Sequence, residues 1–422
     1  MSEPPEFDLV GVGFGPSNLA LAIAVAEHNA TAVEPVTAHF LERQPEFGWH
    51  RGMLIEDATM QVSFLKDLVT MRNPASDFSF LSYLHSQGRL VDFINHKNLF
   101  PLRIEFHDYF GWAAAQVDDQ VAYGQEVVSV GEGFEVRTAD GSAYRARNLV
   151  LGTGLRPNLP DNITPSDRVW HNHELLHRID EVRDPARCVV IGAGQSAAEV
   201  TAFLHGRFPG AEVCAVFARY GYSPSDDSAF ANRIFDPEAV DAFYTAPDDV
   251  KRRLMGYHAN TNYSAVDIDL IDELYRRLYQ EKVQGRQRLR IFNTSRPLEV
   301  TGDAQVTLES LTTGDKTVLD ADLVVCATGY QPADPTPLLG DLAGHCRRDA
   351  QGRLRVERDY RLVTPDLDGT IYLQGGTEHT HGVTSSLLSN TAVRVGEILD
   401  SILGRPEPAA DWRAEYAVRE WA

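Results

Sequence analysis

The strongest constraint on the fold is a pattern that occurs twice. Residues 7–27, FDLVGVGFGPSNLALAIAVAE, run from a short apolar strand, Phe7 to Val10, through Gly11-x-Gly13-x-Gly15-Pro16 into an Ala/Leu-rich helix beginning near Ser17. Residues 186–204, ARCVVIGAGQSAAEVTAFL, repeat the strand, the turn (Gly192-x-Gly194-x-x-Ala197) and the helix. Such turns need glycine because the backbone reverses tightly and lets a pyrophosphate approach N–H groups at the positive end of a helix dipole. One such turn alone is just as well a plain strand–helix connection. Two, each in the right context, predict two dinucleotide sites in an α/β chain.

The strands that follow differ. TAHFLERQ ends in Glu42, an acid placed to accept from the adenosine ribose hydroxyls, after a loop, HNATAVEPV, that lengthens the usual interval. AEVCAVFARYGY carries no acid and offers Arg219 instead. A guanidinium pairs with a 2′-phosphate that a carboxylate would repel, which favours NADPH over NADH; the alternative is a solvated surface arginine. Two further apolar strands, in NLVLGTGLRPNLP (148–160) and ADLVVCATGYQP (321–332), end in glycine turns followed by proline. Both are expected to re-enter the first dinucleotide domain, which is then discontinuous, with the second inserted in it.

Composition limits the rest. At 422 residues the chain is too long for one ordinary core, so two or three domains are expected. A net charge of −21 argues against a nucleic-acid partner. Cys188, Cys214, Cys326 and Cys346 are too dispersed for a redox pair or a zinc site, and are expected to remain thiols. His50, His379 and His381 have no accompanying acid cluster, so no metal is expected. No window is apolar enough for a membrane span and the first residues lack the features of a leader, which makes a cytoplasmic location the simplest expectation.

One stretch stands apart. In TMQVSFLKDLVTMRNP (59–74), Val62, Phe64, Leu65, Leu68 and Val69 suit a buried strand or helix face, yet Lys66 sits among them. A buried ammonium requires an anion. That anion is Asp67, another carboxylate of the chain, or the carboxylate of a ligand.

Taken together, the two fingerprints and the CATGY strand resemble the class B flavin monooxygenases. GVGFGPSNLALA, WHRGM (49–53), MQVSFLKDLVTMRNP, EFHDYFGWAA, IGAGQSAAE, SPSDDSAFANRIFDP (223–237), HANTNYSAVD (258–267) and LQGGTEHTHGVTSSLLSN (373–390) narrow the resemblance to the N-hydroxylating monooxygenases of siderophore biosynthesis, with the ornithine hydroxylases as the nearest subgroup. The resemblance implies two Rossmann-like domains with a small, mainly helical substrate region. Residues 1–185 and 323–422 would bind FAD, 186–220 and 285–322 NADPH, and 221–284 the substrate. It implies FAD held by Gly11, Gly13, Gly15, Pro16 and Glu42, with Trp49, His50, Met53 and Gln61 around the isoalloxazine, although Trp49 and Met53 are ordinary core residues when read alone. NADPH would meet Gly192, Gly194, Gln195, Ser196 and Arg219, although the family's usual arginine aligns with Ala218.

For the substrate, the resemblance places Lys66 on the carboxylate, Asn232 and Asn262 on the amino acid head group, and Ser389 nearby. Read alone, Asn232 also suits a turn cap, Asn262 an Asx-turn and Ser389 a backbone-bonded helix serine. The implied chemistry is carried by a flavin C4a-hydroperoxide attacked by the neutral terminal amine of ornithine, with dioxygen as co-substrate, Gln61 as a flavin-side candidate and no side-chain nucleophile. Such a site should gather its charges at the head-group end. L-lysine or a diamine such as putrescine are the alternatives, a non-catalytic flavoprotein or redox sensor a remoter one. NTNYSAVD and SDDSAFAN favour ornithine, and a diamine would leave Lys66 without a partner. The family resemblance further implies a homotetramer.

Overall fold

In the computed structural model, which describes residues 3–258, 261 and 263–405, the first fingerprint begins a mixed sheet, parallel around β1 and antiparallel at one edge. Strand β1 (Glu6–Val12) leads into the helix Pro16–Asn29, whose first turn takes proline without losing a bond because its N–H groups have no intrahelical partner there. This helix is apolar all round. Leu19 to Val25 are 0–1% exposed, because the helix lies between the sheet and two outer helices, Arg103–Ala115 and Thr391–Ile402.

Strands β2 (Ala38–Glu42) and β3 (Val121–Tyr123) extend the sheet on one side of β1; β4 (Val127–Gly131), β5 (Glu135–Thr138) and β6 (Ala143–Leu151) lie on the other. Between β2 and β3 the stretch 59–74 is neither strand nor helix, contrary to the expectation from its apolar run. It is a series of turns organised by Asp67. The buried Asp67 carboxylate accepts from the N–H groups of Val69 (3.0 Å), Thr70 (2.6 Å) and Phe80 (2.8 Å) and from the Thr70 hydroxyl (2.9 Å).

After β7 (Leu155–Pro157) and β8 (Val169–His171), the second fingerprint follows β9 (Arg187–Ile191) and opens the helix Gln195–Arg207. Strands β10 (Glu212–Val216) and β11 (Leu289–Phe292) come next, then the antiparallel β12 (Ser295–Val300), β13 (Gln305–Ser310) and β14 (Lys316–Asp320), then β15 (Leu323–Cys326), β16 (Tyr330–Pro332) and β17 (Thr370–Leu373). The second sheet, in the order β11-β10-β9-β15-β8, is parallel throughout.

This topology moves the expected boundaries. β8 and β15, assigned from sequence to the first domain, are hydrogen-bonded into the second sheet. LVVC in β15 is fully buried beside β9, as a strand covered on both faces must be. The helix Ile268–Gln284, assigned to the substrate region, is the crossover between the parallel neighbours β10 and β11 and packs through Leu274 on Ala198 of the fingerprint helix. The chain leaves and regains the first module along one antiparallel ribbon, β7 with β16. β17 then completes the first sheet against the C-terminal half of β6, Asn148 facing Thr370 and Leu151 facing Leu373. No helix among the described residues is long and apolar enough to cross a membrane.

Candidate active site

The first glycine turn is built to receive a group. Gly13 has φ +83°, and a Cβ there would lie 2.5 Å from the Gly152 carbonyl; the space above Gly15, at the helix start, is open. Glu42, buried at the end of β2, accepts from the backbone N–H of Phe14 at 2.6 Å and of Gln44 at 2.9 Å. Those two bonds fix an acceptor-only carboxylate beside the turn, with lone pairs left for hydroxyl groups. Among the described residues, both amide atoms of buried Asn390 and the hydroxyl of buried Thr377 lack partners, and Asn390 adjoins Thr391, whose hydroxyl accepts from the Arg394 guanidinium that also reaches Ser17. Orphaned polar groups beside an open glycine turn fit a polar, phosphate-bearing cofactor such as FAD.

The residues expected around the isoalloxazine are not all brought together. Trp49 is half-buried and meets His50 and Phe110 edge-on, with ring centroids 4.7 and 5.3 Å apart. Burial of the His50 ring, with Arg103 near, pushes its pKa down to about 4, although the residue as a whole is exposed. Gln61 is exposed, its amide leaning on the Thr59 hydroxyl at 3.4 Å. Met53 does not join them. It is 2% exposed and packs with Trp170 and Leu175 in the core beside the second sheet, where a long flexible side chain fills space equally well.

At the second fingerprint, Gly192 has φ +144°, and a Cβ there would stand 2.3 Å from the Ala327 carbonyl, so β9 and β15 pack too closely for any other residue. Gly194 precedes the helix whose first turn holds Gln195 and Ser196. Arg219 is half-buried; its Nη1 donates to the Ser264 carbonyl at 3.0 Å and the Ser223 hydroxyl at 3.5 Å, and its Nε and Nη2 have no partner among the described residues.

Lys66 answers the question its position posed. Asp67 faces away into its own four bonds, and the Lys66 ammonium lies over the Phe235 ring, 5.4 Å from its centroid, in no ion pair among the described residues. Burial lowers its pKa from the usual lysine value, and Asp236 acts in the opposite direction. Asn232 lies on the same turn as Phe235, the 3-10 segment Ala231–Phe235, which packs on the turn Val383–Ser386. That turn in turn contacts Leu388–Asn390, where Ser389 is 2% exposed, in a 3-10 segment and not in the expected helix. Asn262 lies outside the described residues.

Sequence reasoning passed over Arg103, Glu199 and Arg394. Arg394 is buried and binds the carbonyls of Thr384 (3.3 Å) and Ser385 (2.8 Å). Nothing local in the sequence marks it, because its partners lie on distant segments.

Two dinucleotide folds joined through Arg103 and Glu199, with an ammonium in no ion pair among the described residues, fit a flavin- and nicotinamide-dependent oxidoreductase. Comparison with known proteins narrows this. Residues 5–332 match the model of L-lysine 6-monooxygenase/L-ornithine 5-monooxygenase, and the chain belongs to that family. An L-ornithine N(5)-monooxygenase of Burkholderia cepacia is 41% identical over 98% of both chains. The ornithine N-hydroxylase of Kutzneria sp. 744, in a structure with reduced FAD, NADP+ and L-ornithine, superposes with a TM-score of 0.91 at 47% identity, covering 95% of this chain and 99% of that one. The ornithine hydroxylase of Pseudomonas aeruginosa gives 0.87 at 36%, covering 94% and 99%.

Proposed function

We propose that the chain is an FAD- and NADPH-dependent monooxygenase that hydroxylates the side-chain amine of L-ornithine for a siderophore or related hydroxamate product. The observation that carries this reading is Lys66, a half-buried ammonium on an aromatic ring without a carboxylate partner among the described residues. A free amino acid supplies the missing anion, and its relatives' names give the length of its side chain.

In this reading FAD occupies Gly11, Gly13, Gly15, Pro16 and Glu42 with Trp49, His50 and Gln61 at its ring, and NADPH occupies Gly192, Gly194, Gln195, Ser196 and Arg219. The reduced flavin, when bound, would supply activated dioxygen. The protein supplies position and protonation state. Lys66 holds the α-carboxylate, strengthened by apolar neighbours that exclude water, and Asp236 provides an anion at the same end for the α-ammonium. Asn232 and Asn262 each offer a donor and an acceptor to the head group, and Ser389 borders it. With the charges gathered there and the far end free of carboxylates, desolvation would favour the neutral amine, whose pKa in water near 10 otherwise keeps it protonated.

L-lysine is the second reading, because the family embraces both substrates and one methylene is worth only about 1–3 kcal/mol of discrimination. A homotetramer is inferred from the family resemblance, and a cytoplasmic location from the lack of a membrane-spanning stretch in the sequence. Oxygen uptake and hydroxylamine formation with ornithine, lysine and putrescine side by side test the reading: ornithine should couple NADPH oxidation to product. Peroxide as the only product with every amine overturns it, and NADPH-independent behaviour would indicate a non-catalytic flavoprotein.

A further inference from the structure

Arg103 and Glu199 join the two modules. Arg103 opens the helix Arg103–Ala115 beside the first sheet, and Glu199 lies one turn into the helix after the second fingerprint. Nη2 of Arg103 donates to Oε1 of Glu199 at 2.6 Å and Nη1 to Oε2 at 3.0 Å, the side-by-side geometry in which guanidinium and carboxylate pair most strongly. The side chains are only 12% and 4% exposed, so water cannot replace either partner.

Each partner is tied further into its own module. Arg103 also donates to the carbonyls of Met53 (2.9 Å) and Thr59 (3.3 Å), the two ends of the connection that leads to Gln61 and Lys66. Glu199 Oε1 accepts from Gln195 Nε2 at 3.0 Å, and Gln195 Oε1 accepts from the backbone N–H of Asp267 at 2.8 Å. Asp267 in turn caps the helix Ile268–Gln284 through its bond from Asp269 N–H. One hydrogen-bonded line therefore runs from the flavin-side loop, across the module boundary, through the second fingerprint, to the helix behind it.

We propose that Arg103 and Glu199 are positioning residues which, through Gln195, set the placement of the nicotinamide module against the flavin. The inference rests on the function proposed above, since only a hydride transfer between two cofactors gives that placement a catalytic consequence. Reacting atoms must approach to about 3–3.5 Å, and a displacement of about 1 Å costs on the order of a hundredfold in rate. Neither residue needs to touch a reacting atom to control it.

The test is anaerobic stopped-flow reduction of the FAD-loaded enzyme by NADPH, expressed per bound flavin, in wild type, Glu199→Ala, Arg103→Met and the double variant. Per-flavin rates separate positioning from a merely structural role, which would lower the yield of loaded enzyme and leave the rate alone. The expected result is a reduction rate lower by ten- to a hundredfold in either single variant, NADPH dissociation constants within threefold of wild type, and a double variant no slower than the singles. Glu199→Gln, close in shape and retaining one acceptor, should fall between, and it carries the test where Glu199→Ala does not load FAD. Rates within twofold of wild type, or single effects that multiply in the double variant, overturn the relay. Failure of wild-type flavin to accept electrons from NADPH would overturn the proposed function instead.

Discussion

The Lys66 ammonium rests 5.4 Å from the centre of the Phe235 ring, while Asp67, next to it in the chain, turns its carboxylate into bonds from Val69, Thr70 and Phe80. A ring face attracts a cation without neutralising it, so the charge stays available to a ligand. Lys66→Ala should therefore raise the KM for ornithine about 10- to 100-fold, the range of one charge-assisted hydrogen bond, while NADPH oxidation continues with peroxide release. Steady-state assays of both products check this, and an unchanged KM removes Lys66 from the site.

The same ammonium should shape the pH profile. Its folded pKa lies below the ordinary 10.5, so the positive charge is lost at lower pH than in a free lysine. kcat/KM for ornithine should fall as pH rises through that value, giving an alkaline limb below 10.5. Asp236→Asn removes the charge that opposes the lowering and should shift the limb further down. Lys66→Arg should abolish it, since a guanidinium does not titrate there.

Alanine at the two glycine turns should separate the cofactors. Gly13→Ala places a Cβ 2.5 Å from the Gly152 carbonyl at φ +83° and should yield protein without flavin colour. Gly192→Ala places one 2.3 Å from the Ala327 carbonyl on the other sheet. There the yellow enzyme should persist but reduction by NADPH should fall by at least a hundredfold, as absorbance spectra and anaerobic reduction would show. Identical losses of FAD in both variants would contradict separate modules.

His381 should give the fold an acid-sensitive component. Its ring is buried, stacked on Tyr360 at 4.2 Å and bonded to the Arg358 carbonyl at 3.0 Å, and burial pushes its pKa down to about 3. Between an unfolded value near 6.5 and that folded value, the unfolded chain binds a proton which the folded chain refuses, so this contribution is complete above 6.5 and lost as pH falls. The slope is at most about 1.4 kcal/mol per pH unit. Urea denaturation at pH 7 and pH 5 should show His381→Gln less stable at pH 7 but with a shallower dependence on pH.

What the sequence made legible was local. Gly13 and Gly192 reveal themselves because a turn's geometry is written in a few adjacent residues, and Lys66 because a charge among apolar neighbours needs an explanation wherever it folds. Sheet membership is not local: an apolar LVVC reads the same beside β6 or beside β9, and only the packing of two modules decides between them. Met53 and Trp49 have equal claims to line a cleft, and the core beside the second sheet took one of them. The turns of 59–74 depend on a carboxylate satisfying donors up to Phe80, which no periodicity encodes. The pairing of Arg103 with Glu199 depends on the docking of helices from different modules, so neither residue names its partner.

The closing of the first sheet by β17 against β6 also imposes an order on biosynthesis. As the chain leaves the ribosome, the second sheet has all its strands once Cys326 is out, whereas the module begun by the first residues still carries an open edge along β6. The part started first is finished last. An unpaired edge invites wrong partners during that interval. A chain cut short before Thr370 would keep every strand of the second sheet and leave β6 of the first with its edge open.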